Sequence, residues 1–124
     1  MPIETRGIRH VHLLVSDRDR SVAFYRQVFG MEVGFRDGEI LFLHSPGGRD
    51  DLALHQAVTE DERDRVGHQG GLEHFGITVK DRTRLDDAIA LVIESGGGLV
   101  DNGEHAPGIP YAYVSDPDGY VIEI

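Results

Sequence analysis

The chain repeats itself. His10 in IRHVHLLVSDR and His74 in LEHFGITVKDR stand 64 positions apart, and the residues around them match in register. Ile8 matches Leu72, Leu13 matches Ile77, Val15 matches Val79, Asp17 matches Asp81 and Arg18 matches Arg82. Two copies of one supersecondary unit must therefore share 124 residues, a length that suits one domain made of two tightly coupled halves.

Each unit opens as a strand and turns at its Asp-Arg pair into a helix. In the first, Val22, Tyr25, Val28 and Phe29 recur at helical spacing and Gly30 stops the run. In the second, Leu85, Ala88, Ile89 and Val92 form the stripe, Gly96 to Gly98 end it, and Thr83 with Asp86 reads as a capping box. Three strands follow in each unit. They are expected near 32–36, 39–45 and 51–57, with Asp37-Gly38 as a hairpin turn, and again near 98–101, 110–115 and 120–124. Each unit is thus βαβββ and the fold class is α+β. Module 1 spans about 8–58 and module 2 about 72–124. The charged stretch 59–71, TEDERDRVGHQGG, is the linker, with a helical turn at Glu60 to Val66. One helix covers only one face of a four-stranded sheet. The two modules are therefore expected to pair into a curved mixed sheet around a cavity.

Strand alternation decides what looks into that cavity. His10, His12 and Leu14 share one face of the first strand, and Val11, Leu13 and Val15 the other. His74, Gly76 and Thr78 lie opposite Phe75, Ile77 and Val79. The polar and small sets belong to the cavity and the apolar sets to the helices. On the last strand Glu123 sits among Val121, Ile122 and Ile124. Glutamate keeps such company when it is paired or binds a metal. Two imidazoles and one carboxylate, here His10, His74 and Glu123, make a ligand set that leaves coordination positions open for chemistry. His12, on the same face as His10, competes with it for that role.

Charge narrows the partners. The formal net charge is −10 and Lys80 is the sole lysine, which argues against a nucleic-acid surface. Without cysteine there is no disulfide framework and no thiolate metal site. No apolar run has the length of a membrane span and no signal peptide opens the chain. A cytoplasmic protein that binds neither nucleic acid nor membrane is expected.

The segments HVHLLVSDRDRSVAFYRQVFG (10–30), EHFGITVKD (73–81) and DPDGYVIEI (116–124) resemble the vicinal oxygen chelate superfamily. That superfamily includes glyoxalase I, extradiol ring-cleaving dioxygenases, fosfomycin resistance enzymes, methylmalonyl-CoA epimerase and bleomycin resistance proteins. The resemblance implies a metal held between the modules by His10, a position in strand 51–57, His74 and Glu123. Glyoxalase I carries Glu or Gln at the second of these positions and the epimerase Gln. Here Ala53 falls there, with His55 two residues on and on the same face. The remaining three ligands are the pattern of the extradiol and fosfomycin enzymes.

Gly103-Glu104-His105, Ala112-Tyr113, Asp116-Pro117, Gly119 and Glu123 resemble an extradiol signature. It implies that His105, in the loop 103–110, and Tyr113 hydrogen-bond substrate and oxygen-derived groups. One departure stands out: Asp50 occupies the place of the extradiol catalytic histidine, with His44 and His55 as stand-ins. The implied function is a metal-dependent oxidoreductase resembling extradiol dioxygenases, acting on a catechol-like substrate with vicinal oxygens. The alternatives are a lyase, isomerase or thiol transferase of the same superfamily, and a drug-binding resistance-type protein. The implied cofactor is one divalent ion, Fe(II) first, then Mn(II), Zn(II) or Ni(II). The implied partners are a small-molecule substrate and a second copy in a homodimer.

Overall fold

A computed structural model describes all 124 residues. β1 (Val11–Val15), α1 (Arg18–Phe29), β2 (Glu32–Asp37), β3 (Ile40–His44) and β4 (Leu52–Gln56) form the first half. α2 (Glu60–Arg65) follows. β5 (Phe75–Gly76), α2's successor α3 (Leu85–Glu94), β6 (Gly98–Ala106), β7 (Ile109–Ser115) and β8 (Val121–Glu123) form the second. The sheets run β1-β4-β3-β2 and β5-β8-β7-β6, with the outer pairs β1–β4 and β5–β8 parallel and the rest antiparallel. No strand of one sheet is hydrogen-bonded to a strand of the other.

Local chemistry sets the boundaries. Asp17 caps α1 by accepting from the Arg20 N–H, and Gly30 closes the helix at φ 67°, a left-handed backbone that glycine adopts without a Cβ clash. The one complete capping box lies in the linker. Thr59 accepts from the Glu62 N–H while the Glu62 carboxylate accepts from the Thr59 N–H, so the acidic stretch winds into α2. The box read at Thr83 and Asp86 is absent. Asp81 instead takes the Thr83 N–H in an Asx turn that heads a 3₁₀ turn, Arg82–Arg84, before α3. The short aspartate side chain reaches the amide two residues on before Thr83 can act as a cap.

The stretch 103–110 is a hairpin rather than a loop. β6 continues to Ala106, and Gly103 and Glu104 pair with Tyr111 and Pro110. The glycine there makes room for an aromatic side chain: a Cβ on Gly103 would meet the Tyr111 hydroxyl at 3.0 Å and its ring at 3.2–3.3 Å. β5 is only two residues long, extended by one bond from the Ile77 N–H to the Glu123 carbonyl.

The apolar faces of both sheets meet α1 and α3 in a single core. Leu13, Val15, Phe24, Tyr25, Leu43, Leu52 and Leu54 of the first half join Leu85, Val92, Val114, Ile122 and Ile124 of the second. Gly97 packs tightly within this core, where an added Cβ would collide with the Ser115 carbonyl and Val92 of its own half and with Phe24 of the first. Polar ties reinforce it. Asp118 accepts from Ser16 and pairs with Arg20 at 2.9 Å, and the Tyr120 hydroxyl donates to the Leu14 carbonyl at 2.6 Å. No helix is long and apolar enough to cross a membrane.

Candidate metal centre

The alternation of β1 holds. Leu13 and Val15 are buried in the core while His12 is exposed on the other face. Register then assembles the polar faces. His12 is paired with Ala53 in the β1–β4 ladder, and Gly76 is paired with Glu123 in the β5–β8 ladder. Because His12 and Gly76 are also 64 positions apart, Ala53 is the counterpart of Glu123 in the other module. Its methyl group brings no donor to that place.

On the second sheet His74, Glu123, Tyr113 and His105 come together. His74 Nε2 lies 3.7 Å from Glu123 Oε1, and His105 Nε2 lies 3.5 Å from Glu123 Oε2. The His74 and Tyr113 rings meet edge to face with centres 4.9 Å apart, and His105 stacks on Tyr111 at 4.4 Å. Hydrogen bonding of the Tyr113 hydroxyl to Glu123, followed by desolvation, raises the phenol pKa above its ordinary value. His74 Nδ1 is buried without a hydrogen-bond partner. Tyr111 belongs to this face as well. Its alternation with Tyr113 signalled that, but its stacking partner became visible only once β6 was seen to reach Ala106.

On the first sheet His10 Nδ1 contacts Asp50 Oδ2 at 3.0 Å, and Arg9 adds an exposed contact to the same oxygen. With Nδ1 engaged by the carboxylate, Nε2 is the nitrogen His10 has to offer. This carboxylate–imidazole arrangement is what usually stands behind a metal-bound histidine. His12 is committed elsewhere, since its Nε2 lies 3.0 Å from His55 Nδ1. Desolvation, then the neighbouring His55 and His10, lower the His12 pKa. His55 Nε2 in turn reaches Glu62 Oε2 at 3.1 Å. Glu62 is the polar group that reading the sequence missed, and the T-x-x-E pattern at Thr59–Glu62 was the available signal. His44 turns its Nδ1 to the Ser45 carbonyl and stays outside this cluster.

One cleft of about 500 Å³ joins the two faces, lined by His10, Val11 and Asp51 on one side and by Leu72, His74 and Phe75 on the other. As they stand, no three His, Asp or Glu side chains converge tightly enough to enclose an ion. His74 and Glu123 already face one another, and His10 stands across the cleft from His74. His10, His74 and Glu123 could supply nitrogen and oxygen donors of the kind a first-row divalent ion takes, with Ala53 offering none.

The model of the Glyoxalase/Bleomycin resistance protein/Dioxygenase superfamily matches residues 7–124. The chain belongs to that superfamily. This vicinal oxygen chelate membership accounts for the paired βαβββ architecture. Catechol-2,3-dioxygenase of Bacillus subtilis (strain 168) is 35% identical over 124 residues, 98% of this chain and 41% of that protein. The chain thus spans about two-fifths of the length of that dioxygenase. A probable lactoylglutathione lyase of Vibrio cholerae is 34% identical over 131 residues, 94% of this chain and 88% of that protein. Among solved structures, a glyoxalase-related enzyme from Fulvimarina pelagi superposes with a TM-score of 0.70 at 25% identity, covering 97% of this chain and 87% of its own. A variant of the fosfomycin resistance protein FosX from Listeria monocytogenes, complexed with Mn(II) and a dihydroxypropylphosphonic acid, superposes with a TM-score of 0.73 at 16% identity. It covers 97% of this chain and 89% of its own, and that likeness shows the fold.

Proposed function

We propose that this vicinal oxygen chelate protein is a metal-dependent oxidoreductase of the extradiol type, acting on a small catechol-like substrate with adjacent oxygens. The observation that carries the reading is the facing pair His74–Glu123 with His10 across one cleft, combined with alanine where a fourth ligand would stand. His10 Nε2, His74 Nε2 and the Glu123 carboxylate would hold one divalent ion, with Fe(II) first and Mn(II), Zn(II) or Ni(II) as alternatives. When bound, the ion supplies Lewis acidity and a template that gathers reactants in one orientation.

The chain's own residues do the rest. Asp50 holds His10 through Nδ1, which leaves Nε2 for an ion. Tyr113 and His105, grouped around Glu123, donate hydrogen bonds where negative charge develops on substrate oxygen. Asp50 occupies the place of the extradiol catalytic histidine and is bound to His10, which removes it as a free base. The second reading, a lyase or isomerase acting without O2, draws its support from that substitution and from the lactoylglutathione lyase relatives.

A homodimer accompanies the leading reading. β2 is exposed along its whole length, and Phe35 of β2 and Val100 of β6, the outer strands, are more than half exposed, a surface a second copy would cover.

The deciding experiment loads the anaerobically purified protein with Fe(II) and measures O2 uptake with a series of catechols. Uptake with a ring-cleaved product, lost in His74→Ala, is the expected result. Turnover of a superfamily substrate without O2 would establish the second reading instead.

A further inference from the structure

Glu62, His55 and His12 form a hydrogen-bonded row whose direction follows from chemistry alone. Glu62 Oε1 is occupied, accepting the backbone N–H groups of Thr59 and Val58 at 3.0 and 3.2 Å, so the carboxylate is fixed at the head of α2. Oε2 is left to face His55 Nε2 at 3.1 Å. An ionised carboxylate only accepts, so His55 Nε2 carries the proton. Nδ1 of the neutral ring is then an acceptor, and the group 3.0 Å away, His12 Nε2, is its donor. That places the single ring proton of His12 on Nε2. Nδ1 of His12 has no hydrogen-bond partner in the chain, and the residue lines a cavity of about 460 Å³ with His55, Glu62, Leu14 and Leu72.

We propose that Glu62, acting through His55, fixes the tautomer of His12, so that a ligand reaching the cavity of His12, whose ring centre stands 6.3 Å from that of His10, meets a bare Nδ1 acceptor and is selected for carrying an O–H or N–H donor. Glu62 and His55 are positioning residues, and His12 is the residue that reads the ligand. The selectivity rests on the metal-dependent reading above, because it places the ligand next to His10. The tautomer does not rest on it.

The capping geometry supplies a sharp test. In Glu62→Gln the amide oxygen takes over the two backbone N–H groups and the helix keeps its cap. The amide NH2 then occupies the place of Oε2 and donates to His55 Nε2. The whole row inverts, and the proton of His12 moves to Nδ1.

The 124-residue chain with 15N-labelled histidine, free of metal and at about pH 8 where histidine is neutral, reads this directly. Long-range 1H–15N correlation should show His12 as the Nε2–H form in the parent and the Nδ1–H form in Glu62→Gln. A parent His12 protonated on Nδ1, a His55 protonated on both nitrogens, or a pattern unchanged by Glu62→Gln would overturn the row. A second arm compares catechol with its monomethyl ether on the metal-loaded protein without O2. The preference for catechol, which keeps the second O–H, should fall roughly tenfold in Glu62→Gln, because an acceptor has become a donor facing a donor. An unchanged ratio with an inverted tautomer would remove the selectivity and leave the row standing. Failure to bind metal at all would sink the functional reading, which the spectra do not depend on.

Discussion

Tyr25, on the helix of the first module, donates a 2.7 Å hydrogen bond to Asp116 in the turn between the last two strands of the second, 91 positions away. Both side chains are buried, and the other Asp116 oxygen accepts the backbone N–H groups of Asp118 and Tyr120. The turn that aims β8, and with it Glu123, is thereby fastened to the helix that follows the His10 strand. Tyr25→Phe removes the donor and leaves a buried carboxylate oxygen unpaired. It should cost about 1–3 kcal/mol, read as a lower urea midpoint with an unchanged m-value.

The same pair gives the protein an alkaline limit. Burial, then Asp116, raises the Tyr25 pKa well above the ordinary phenol value. The folded state therefore holds a proton that the unfolded chain releases above pH about 10, so stability is present below that pH and is lost as pH rises past it. Asp116 is also raised, mainly by desolvation, so its contribution falls as pH climbs above the ordinary carboxyl range and is level thereafter. Urea midpoints followed from neutral pH upward should decline beyond pH about 10 in the parent. The decline should be shallower in Tyr25→Phe.

Gly97 of the second half sits against Phe24 of the first. A methyl group there would meet Val92 at 2.8 Å and Phe24 at 2.9 Å, and would strike the Ser115 carbonyl, which is backbone and cannot swing aside. Gly97→Ala is expected to destabilise by about 1–3 kcal/mol or more. A thermal midpoint equal to the parent's would show that the contact is relieved at no cost.

Asp50→Asn keeps the shape of the His10 contact and removes its charge. If His10 is a ligand, divalent-metal affinity should fall by about 10- to 100-fold, measured by competition with a chelator. His10 and His74 line one cleft within one chain, so mixing His10→Ala with His74→Ala protein should restore no metal site. Recovery of one site per two chains would show that the site is shared between copies.

Tyr113→Phe should leave metal content unchanged and lower turnover roughly 100-fold, since its hydroxyl lies beside Glu123 without being one of the three proposed ligands. Loss of metal together with activity would place Tyr113 in a structural role.

Much of this was legible along the chain. The 64-residue repeat required two βαβββ units, and alternation within β1 required the imidazoles and the core residues to part, as Leu13 and Val15 against His12 do. The misreadings were local. Gly103 to Ala106 read as loop residues, yet they extend β6 into a hairpin, because the missing Cβ of Gly103 admits the Tyr111 side chain. Thr83 read as a cap because spacing cannot show that Asp81 reaches the amide first.

Sequence periodicity determined the elements and which side chains share a face, because both depend on neighbours a few residues away. Only the tertiary structure decided what those faces meet. It directed Asp50 to His10, bound His12 to His55 and brought Glu62 of the linker into the row. It also joined both modules in one core through Gly97 and the Tyr25–Asp116 bond. These are contacts between residues far apart in the chain, set by how two sheets and two helices pack, and no local pattern encodes them.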